Sequence, residues 1–349
     1  MTKIRVLIVD DSAIVRKLLS EALSEEMDLE VVGTAPDPFV ARDKILALQP
    51  DVLTLDIEMP RMDGLTFLKK LMHYKPMPVV VISSLGQAGC QAALEALRLG
   101  AVEVLAKPGG PYSVGELRVD LAAKIRAAGS ARLQRAPDSA PARAEPPPPQ
   151  QQPAFDPATV IAIGASTGGT EAIQAVLAGL PANGPGILIT QHIPPVFSRA
   201  FANRLNEVCP MEVKEAQDGD TLARGRALVA PGSLHTLLRK SPGGGFRVTV
   251  QDGPRVCYQK PSVDVMFSSV AEAAGSRAVG VLLTGMGSDG ARGLLKMKQA
   301  GAHTIAQDEA SCIVFGMPKE AIRLGAADQV AALSRIPAAV LGQLGRNGR

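Results

Sequence analysis

The sequence predicts an α/β protein of two doubly wound parallel-sheet domains joined by a Pro-rich linker. Three observations predict it. Apolar runs alternate with helical stretches five times before residue 130 and again after residue 155. Between them lies RAPDSAPARAEPPPPQQQP, which has no hydrophobic period. The chain has 349 residues, enough for two cores.

In the first part the runs are IRVLIV (4–9), LEVVGTA (29–35), DVLTL (51–55), PVVVIS (78–83) and AVEVLA (101–106). Short β-rich segments separated by helical patterns imply βαβ units and a parallel sheet. SVGELRVDLAAKIRAAGS (113–130) reads as the last helix. The domain bounds are accordingly 1–130, a Pro/Ala/Gln-rich linker at 131–155, and 156–349. Such a linker buries too little apolar surface to offset the entropy of ordering, and its Pro run favours an extended spacer. In the second part TVIAIGA (159–165), GILITQ (186–191), RALVA (226–230), FRVTV (246–250), RAVGVLLT (277–284) and AHTIAQ (302–307) continue the alternation.

Composition excludes several classes. Tryptophan is absent and aromatics are 3%, which leaves little for stacking on single-stranded nucleic acid; no nucleic-acid partner is expected. The net charge of +3 is uneven, with 12 basic and 15 acidic side chains in 1–110. Four scattered cysteines show no CxxC pair or metal spacing. No signal peptide and no run of ~18 apolar residues is found, so a cytoplasmic location without membrane insertion is expected.

Asp10 and Asp11 follow the first strand, and Asp56 ends the third. In a parallel sheet these carboxylates meet at the carboxyl edge, where ligands bind. Clustered like charges require a cation, and an oxygen-only set suits Mg²⁺ and phosphate chemistry. Ser83 and Lys107, before Pro108, end the fourth and fifth strands and bring a hydroxyl and a cation to the same edge. Each alone reads as a helix cap or a solvated charge; the five together point to a phosphoryl-accepting site.

VDDS (9–12), LDIEMPRMDG (55–64), ISS (82–84) and AKP (106–108) closely resemble the response-regulator receiver family over about residues 1–125. The resemblance implies a flavodoxin-like receiver in which Asp56 is phosphorylated by a histidine kinase. It further implies that Asp10, Asp11, Asp56 and the Glu58 backbone carbonyl hold Mg²⁺, and that Ser83 and Lys107 sense the phosphate. Many receivers carry an aromatic three residues before the Lys; Val104 stands there instead, removing the group on which an aromatic rotamer switch depends.

In VIAIGASTGGTEAIQAVL (160–177), a strand, a Gly-rich turn and a helix place Ser166 at the turn in a G-x-S-x-G pattern. Free amides at the start of the helix would face an oxyanion formed near Ser166. A phosphate-cradling loop is the rival reading of GASTGG, although it lacks the Lys of a P-loop. A serine nucleophile needs a base and an orienting carboxylate. His192 ends the strand GILITQ, with His235 the other loop histidine in reach. Asp289 lies in TGMGSDGA (284–291) and competes with Asp252, Asp264 and Asp308 for the third role. The order Ser, His, Asp differs from that of α/β-hydrolases.

IGASTGGTEAI (163–173), QHIPPVFSRAFANRLN (191–206), APGSLH (230–235) and LLTGMGSDGA (282–291) look like the catalytic domain of chemotaxis protein-glutamate methylesterases/protein-glutamine glutaminases, over about 157–345. The resemblance implies a Rossmann-like methylesterase domain with Ser166 as nucleophile, His192 as base and Asp289 as orienter. Backbone N–H groups near Thr167 and Met286 would be the oxyanion donors, and no cofactor would serve the esterase step. Methylated chemoreceptors are the implied substrate, with release of methanol, and deamidation of receptor glutamines is a second expectation. The unphosphorylated receiver is expected to block the esterase. Two other classes are set against this reading: a phosphorylation-gated binding module with a dead esterase fold, and a nucleotide- or phosphate-binding effector.

Overall fold

The computed structural model describes residues 3–84, 86–107, 114–133 and 158–344. Most of the linker expected at 131–155, and Pro108, lie outside these residues. The chain forms two compact units.

The first unit runs β1 (Ile4–Val9), α1 (Ala13–Ser24), β2 (Leu29–Ala35), α2 (Pro38–Leu48), β3 (Val52–Asp56), α3 (Gly64–Tyr74), β4 (Val79–Ser83), α4 (Gln87–Arg98), β5 (Glu103–Ala106) and α5 (Val114–Gly129). All its strands pair in parallel, in the order β2-β1-β3-β4-β5. Strands covered on both faces need continuous apolar runs, and β3, β4 and β5 are buried throughout. Helix starts are set by side-chain caps: Ser12 accepts from Val15 N–H, Asp37 from Phe39 and Val40, and Asp63 from Thr66. Winding reverses between β1 and β3, the crevice where open sheets bind ligands.

After residue 158 the chain runs β6 (Val160–Ala165), α6 (Gly169–Ala178), β7 (Gly186–Gln191), α7 (Pro195–Val208), β8 (Glu212–Glu215), β9 (Arg226–Val229), β10 (His235–Lys240), β11 (Phe246–Gln251), α8 (Val263–Ala274), β12 (Ala278–Leu282), α9 (Ala291–Gln299), β13 (His303–Gln307), α10 (Met317–Arg323), β14 (Gln329–Ala331) and α11 (Ile336–Leu344), and all of these but the first half of α7 belong to the second unit. Seven strands form a parallel sheet in the order β14-β13-β12-β6-β7-β9-β8. The reversal falls beside β6, between β12 and β7, so three strand ends meet there.

FRVTV does not continue the parallel sheet. It is β11, paired antiparallel with β10 in a separate hairpin. SPGGG (241–245) is too short for the crossover a parallel pair requires, and Gly244 and Gly245 take the positive φ of a tight reversal. His235, expected in a loop, opens β10. The hairpin places Leu238, Phe246 and Val248 in the same buried cluster as Val263, Phe267 and Leu294 of α8 and α9. That packing anchors the start of α8 beside the sheet edge.

Candidate functional site

In the first unit Asp10, Asp11 and Asp56 bring carboxylate oxygens within 4.8 Å of one another. Asp10 and Asp56 are buried. The Lys107 ammonium lies 2.7 Å from Asp56 Oδ2 and 3.8 Å from Asp10 Oδ2. Burial pushes the Asp10 carboxyl up to about 6, and the charge of Asp56 adds to the rise. Burial also raises Asp56, against the opposing pull of Lys107. On Lys107, burial acts to lower the pKa, but the hydrogen bond and charge of Asp56 outweigh it and the net shift is upward.

One Lys does not satisfy three carboxylates. Asp10 Oδ2 is buried with no hydrogen-bond partner, and such an orphaned oxygen beside two more carboxylates fits a hard, oxygen-seeking cation. The other Asp10 oxygen accepts from Ser12 N–H at 2.8 Å. Glu58 follows in the loop to α3; its N–H donates to Asp56 Oδ1 at 3.0 Å and its carboxylate accepts from Ser84 Oγ at 2.7 Å. Ser83 is not joined to Asp56. Its buried hydroxyl donates to the Gly89 carbonyl of α4 at 2.9 Å. Val104 is buried in β5.

In the second unit Ser166 follows β6, His192 follows β7, and Asp289 lies in the loop from β12 to α9. Ser166 N–H donates to the Thr284 carbonyl at 3.0 Å, and Gly169 N–H donates to the Ser166 carbonyl at 2.7 Å. The glycines of this turn are required sterically. Gly168 has φ +75°, and a Cβ on Gly169 would lie 2.1 Å from Gln191 Oε1. Gly285, after β12, approaches so closely that a Cβ would lie 2.7 Å from Ser166 Cβ.

His192 Nε2 lies 2.8 Å from Asp289 Oδ2. Its buried Nδ1 has no hydrogen-bond partner. The ring is therefore held by the carboxylate at one nitrogen and has the other available as a base. Asp289 is 2% exposed and sits at the start of α8. Oδ1 accepts from Ser262 Oγ at 2.8 Å, Asp264 N–H at 3.0 Å and Gly290 N–H at 3.1 Å; Oδ2 accepts from Val263 N–H at 2.7 Å. Burial by itself raises the Asp289 pKa. The His192 hydrogen bond and charge, with the α8 amides, outweigh it and hold the carboxyl below its usual range.

The competing residues are occupied elsewhere. His235 Nε2 donates to the Pro254 carbonyl at 2.9 Å, and its Nδ1 accepts from Ser262 N–H at 3.2 Å. Asp264 accepts from Gly293 N–H at 2.6 Å, Asp252 pairs with Lys260 at 2.7 Å, and Asp308 accepts from Ser311 N–H at 3.0 Å. The Thr167 carbonyl lies 3.0 Å from Thr284 Oγ1. Met286 is 38% exposed, in the loop between Gly285 and Asp289.

Supporting residues escaped the sequence reading. Gln191 Nε2 donates to the Ser166 carbonyl at 2.8 Å. Gln307 Oε1 accepts from Thr284 N–H at 2.8 Å. Ser262 couples the start of α8 to Asp289. Gln191 alone left a signal, as a polar residue ending an apolar strand beside His192.

Residues 161–340 match the family model for the CheB methylesterase, and residues 6–116 match that for the response regulator receiver domain. Protein-glutamate methylesterase/protein-glutamine glutaminase 2 of Syntrophus aciditrophicus is 56% identical over 349 residues, covering 96% of this chain and 98% of that relative. The protein-glutamate methylesterase/protein-glutamine glutaminase of Pectobacterium atrosepticum is 52% identical over 347 residues, covering 99% and 98%. The crystal structure of the Thermotoga maritima CheB methylesterase catalytic domain superimposes with a TM-score of 0.51 at 36% identity, covering 53% of this chain and 97% of that one. With both family models matched in order and relatives similar over nearly its whole length, the chain belongs to the CheB family of protein-glutamate methylesterases/protein-glutamine glutaminases, a receiver domain preceding a methylesterase domain.

Proposed function

We propose that this chain is the adaptation enzyme of a chemotaxis-type pathway, with a receiver at 1–130, a linker at 131–155 and a methylesterase domain at 156–349. It hydrolyses glutamate methyl esters on chemoreceptors, deamidates specific receptor glutamines, and is activated by phosphorylation of Asp56. The observation that carries the esterase reading is the His192–Asp289 contact of 2.8 Å with His192 Nδ1 unpartnered, at a strand end adjoining that of Ser166.

Ser166 Oγ attacks the γ-carbonyl carbon of the ester while its proton passes to His192 Nδ1. The tetrahedral oxyanion takes hydrogen bonds from backbone N–H groups near Thr167 and Met286. Collapse expels the methoxy group, which takes the proton from His192 and leaves as methanol. Water, deprotonated by His192, then attacks the acyl-Ser166 carbonyl; collapse breaks the bond to Ser166 Oγ, which takes the proton back from His192 as glutamate is freed. With a glutamine the leaving group is ammonia. Asp289 stays ionised and holds the imidazolium formed in each half-reaction.

In the receiver, Asp10, Asp11, Asp56 and the Glu58 carbonyl would hold Mg²⁺, which neutralises phosphoryl oxygens when bound. Asp56 accepts the phosphoryl group from a histidine kinase, and Lys107 and Ser83 engage it; Ser83 must first leave the Gly89 carbonyl. Among the described residues no helix is long and apolar enough to cross a membrane; we place the protein in the cytoplasm, acting on the receptors' cytoplasmic segments.

The test is methanol release from methylated receptor membranes by wild type, Ser166→Ala and Asp56→Ala, with and without a small phosphodonor. Release that needs Ser166, and is stimulated only when Asp56 is intact, is the expected result. Folded protein that releases none would leave a phosphorylation-gated binding module.

A further inference from the structure

The second unit carries a cleft of about 610 Å³ that the reaction above does not use. One wall is formed by α8, where Asp264, Ser268 and Glu272 recur at helical spacing over about 12 Å at 1.5 Å per residue. Arg292 and Lys296 of α9 form the facing wall, and Arg239 of β10 joins the lining. The cleft starts beside the triad: Cys257 and Asp264 line it, and their ligand atoms lie within 4.8 Å of an Asp289 carboxylate oxygen.

Its charges are unequally matched. Arg239 lies 4.0 Å from Glu272. The Asp264 carboxylate is turned inward, taking Gly293 N–H at 2.6 Å and the Cys257 thiol at 3.8 Å. Among the described residues Lys296 Nζ donates only to Ser268 Oγ, at 3.2 Å. Among the described residues the exposed Arg292 has neither hydrogen bond nor ion pair. Arg292 and Lys296 are one helical turn apart on the same face, where like charges repel, so a carboxylate between them relieves that repulsion.

The chemistry of the proposed reaction identifies the carboxylate. Each methanol released turns a neutral ester into a glutamate carboxylate on the same polypeptide. A receptor segment with several such positions becomes more anionic as it is processed. We propose that Arg292 and Lys296 form a docking site for glutamate carboxylates already freed on the receptor segment, engaged while a neighbouring ester occupies Ser166. This rests on the methylesterase reading. Partly demethylated receptor is then a better substrate than receptor whose neighbouring positions are neutral.

The experiment uses full-length protein with a phosphodonor and receptor membranes bearing one methyl ester, the neighbouring positions being all glutamate or all alanine, which the enzyme cannot deamidate. Methanol release by wild type is expected to show a KM roughly fivefold lower with glutamate neighbours, the scale of a few exposed cation–carboxylate contacts. In Arg292→Ala/Lys296→Ala, two exposed helix positions, that advantage disappears with kcat unchanged; in wild type it disappears at about 0.5 M salt. A double variant that keeps the glutamate advantage, or loses activity equally on both substrates, overturns the docking site while leaving the esterase reading intact. No methanol from wild type on either substrate overturns the esterase reading and the docking site with it.

Discussion

His192 turns Nε2 toward Asp289 Oδ2 at 2.8 Å and leaves Nδ1 buried without a partner. The contact joins residues 97 positions apart, and it selects the nitrogen that acts as base. In Asp289→Asn the amide would donate to Nε2, forcing the ring proton onto Nδ1 and removing the base. We expect kcat for methanol release to fall by about 10³ to 10⁴. The carboxamide oxygen can still accept from Ser262 and the Asp264 and Gly290 amides, but the buried Val263 N–H loses its acceptor, so unfolding free energy should fall by about 1 to 3 kcal/mol. A variant with near-normal kcat would exclude Asp289 as orienter.

The pH behaviour follows from the same carboxylate. Its folded-state pKa lies below the ordinary aspartate value, so its stabilising contribution is complete above that ordinary value and is lost as pH falls through the lower folded one. Asp289 therefore remains ionised wherever the enzyme works. The acid limb of kcat/KM, followed down to about pH 4, should fit a single proton. A second proton on that limb would contradict an ionised Asp289.

Gly285 is close-packed on the nucleophile. A Cβ there would lie 2.7 Å from Ser166 Cβ and 2.4 Å from Met317 Sδ. The thioether can swing aside, but the Ser166 turn, held by its bonds to Thr284 and Gln191, cannot. Gly285→Ala should destabilise by about 1 to 3 kcal/mol, as overpacking does, and lower kcat at least ~100-fold by misplacing Oγ. Urea unfolding and methanol release would measure the two effects separately.

Lys107 is the one cation within 4.0 Å of the Asp56 carboxylate among the described residues. Lys107→Ala removes the 2.7 Å contact and leaves Asp10 and Asp56 to repel each other. Without divalent cation the receiver should lose about 1.5 to 3 kcal/mol, the contribution of a hydrogen bond to a charged group. Millimolar Mg²⁺ should recover most of that loss and raise the melting temperature of the variant more than that of wild type. Equal Mg²⁺ shifts in both proteins would argue against a metal among these carboxylates.

Much of this was written in the local sequence. Strands β1, β2 and β7 fall at the expected residues because continuous apolar runs between turn residues admit few other readings. Asp10, Asp11, Asp56, Ser166 and His192 could be assigned to strand ends because each directly follows such a run or closes it, and parallel strands bring those ends to one edge. The SPGGG turn also specified an antiparallel hairpin, and reading FRVTV as one more βα unit overlooked that this turn leaves no room for a crossover.

What tertiary structure alone decided are the relations between residues far apart in the chain. His235 and Asp264 match His192 and Asp289 in residue type; they differ in partners, and those partners are set by the register of the sheet and the seating of α8. The amides of Val263 and Asp264 stabilise Asp289 only because the first turn of α8 lies beside the β12 loop. Ser83 closes its strand as expected, yet its hydroxyl goes to Gly89, a choice made by the packing of α4 against β4. Composition and periodicity act over a few residues and determine elements. Charge pairing and desolvation act across space, so the base nitrogen and the ionised carboxylate emerge only when the chain is folded.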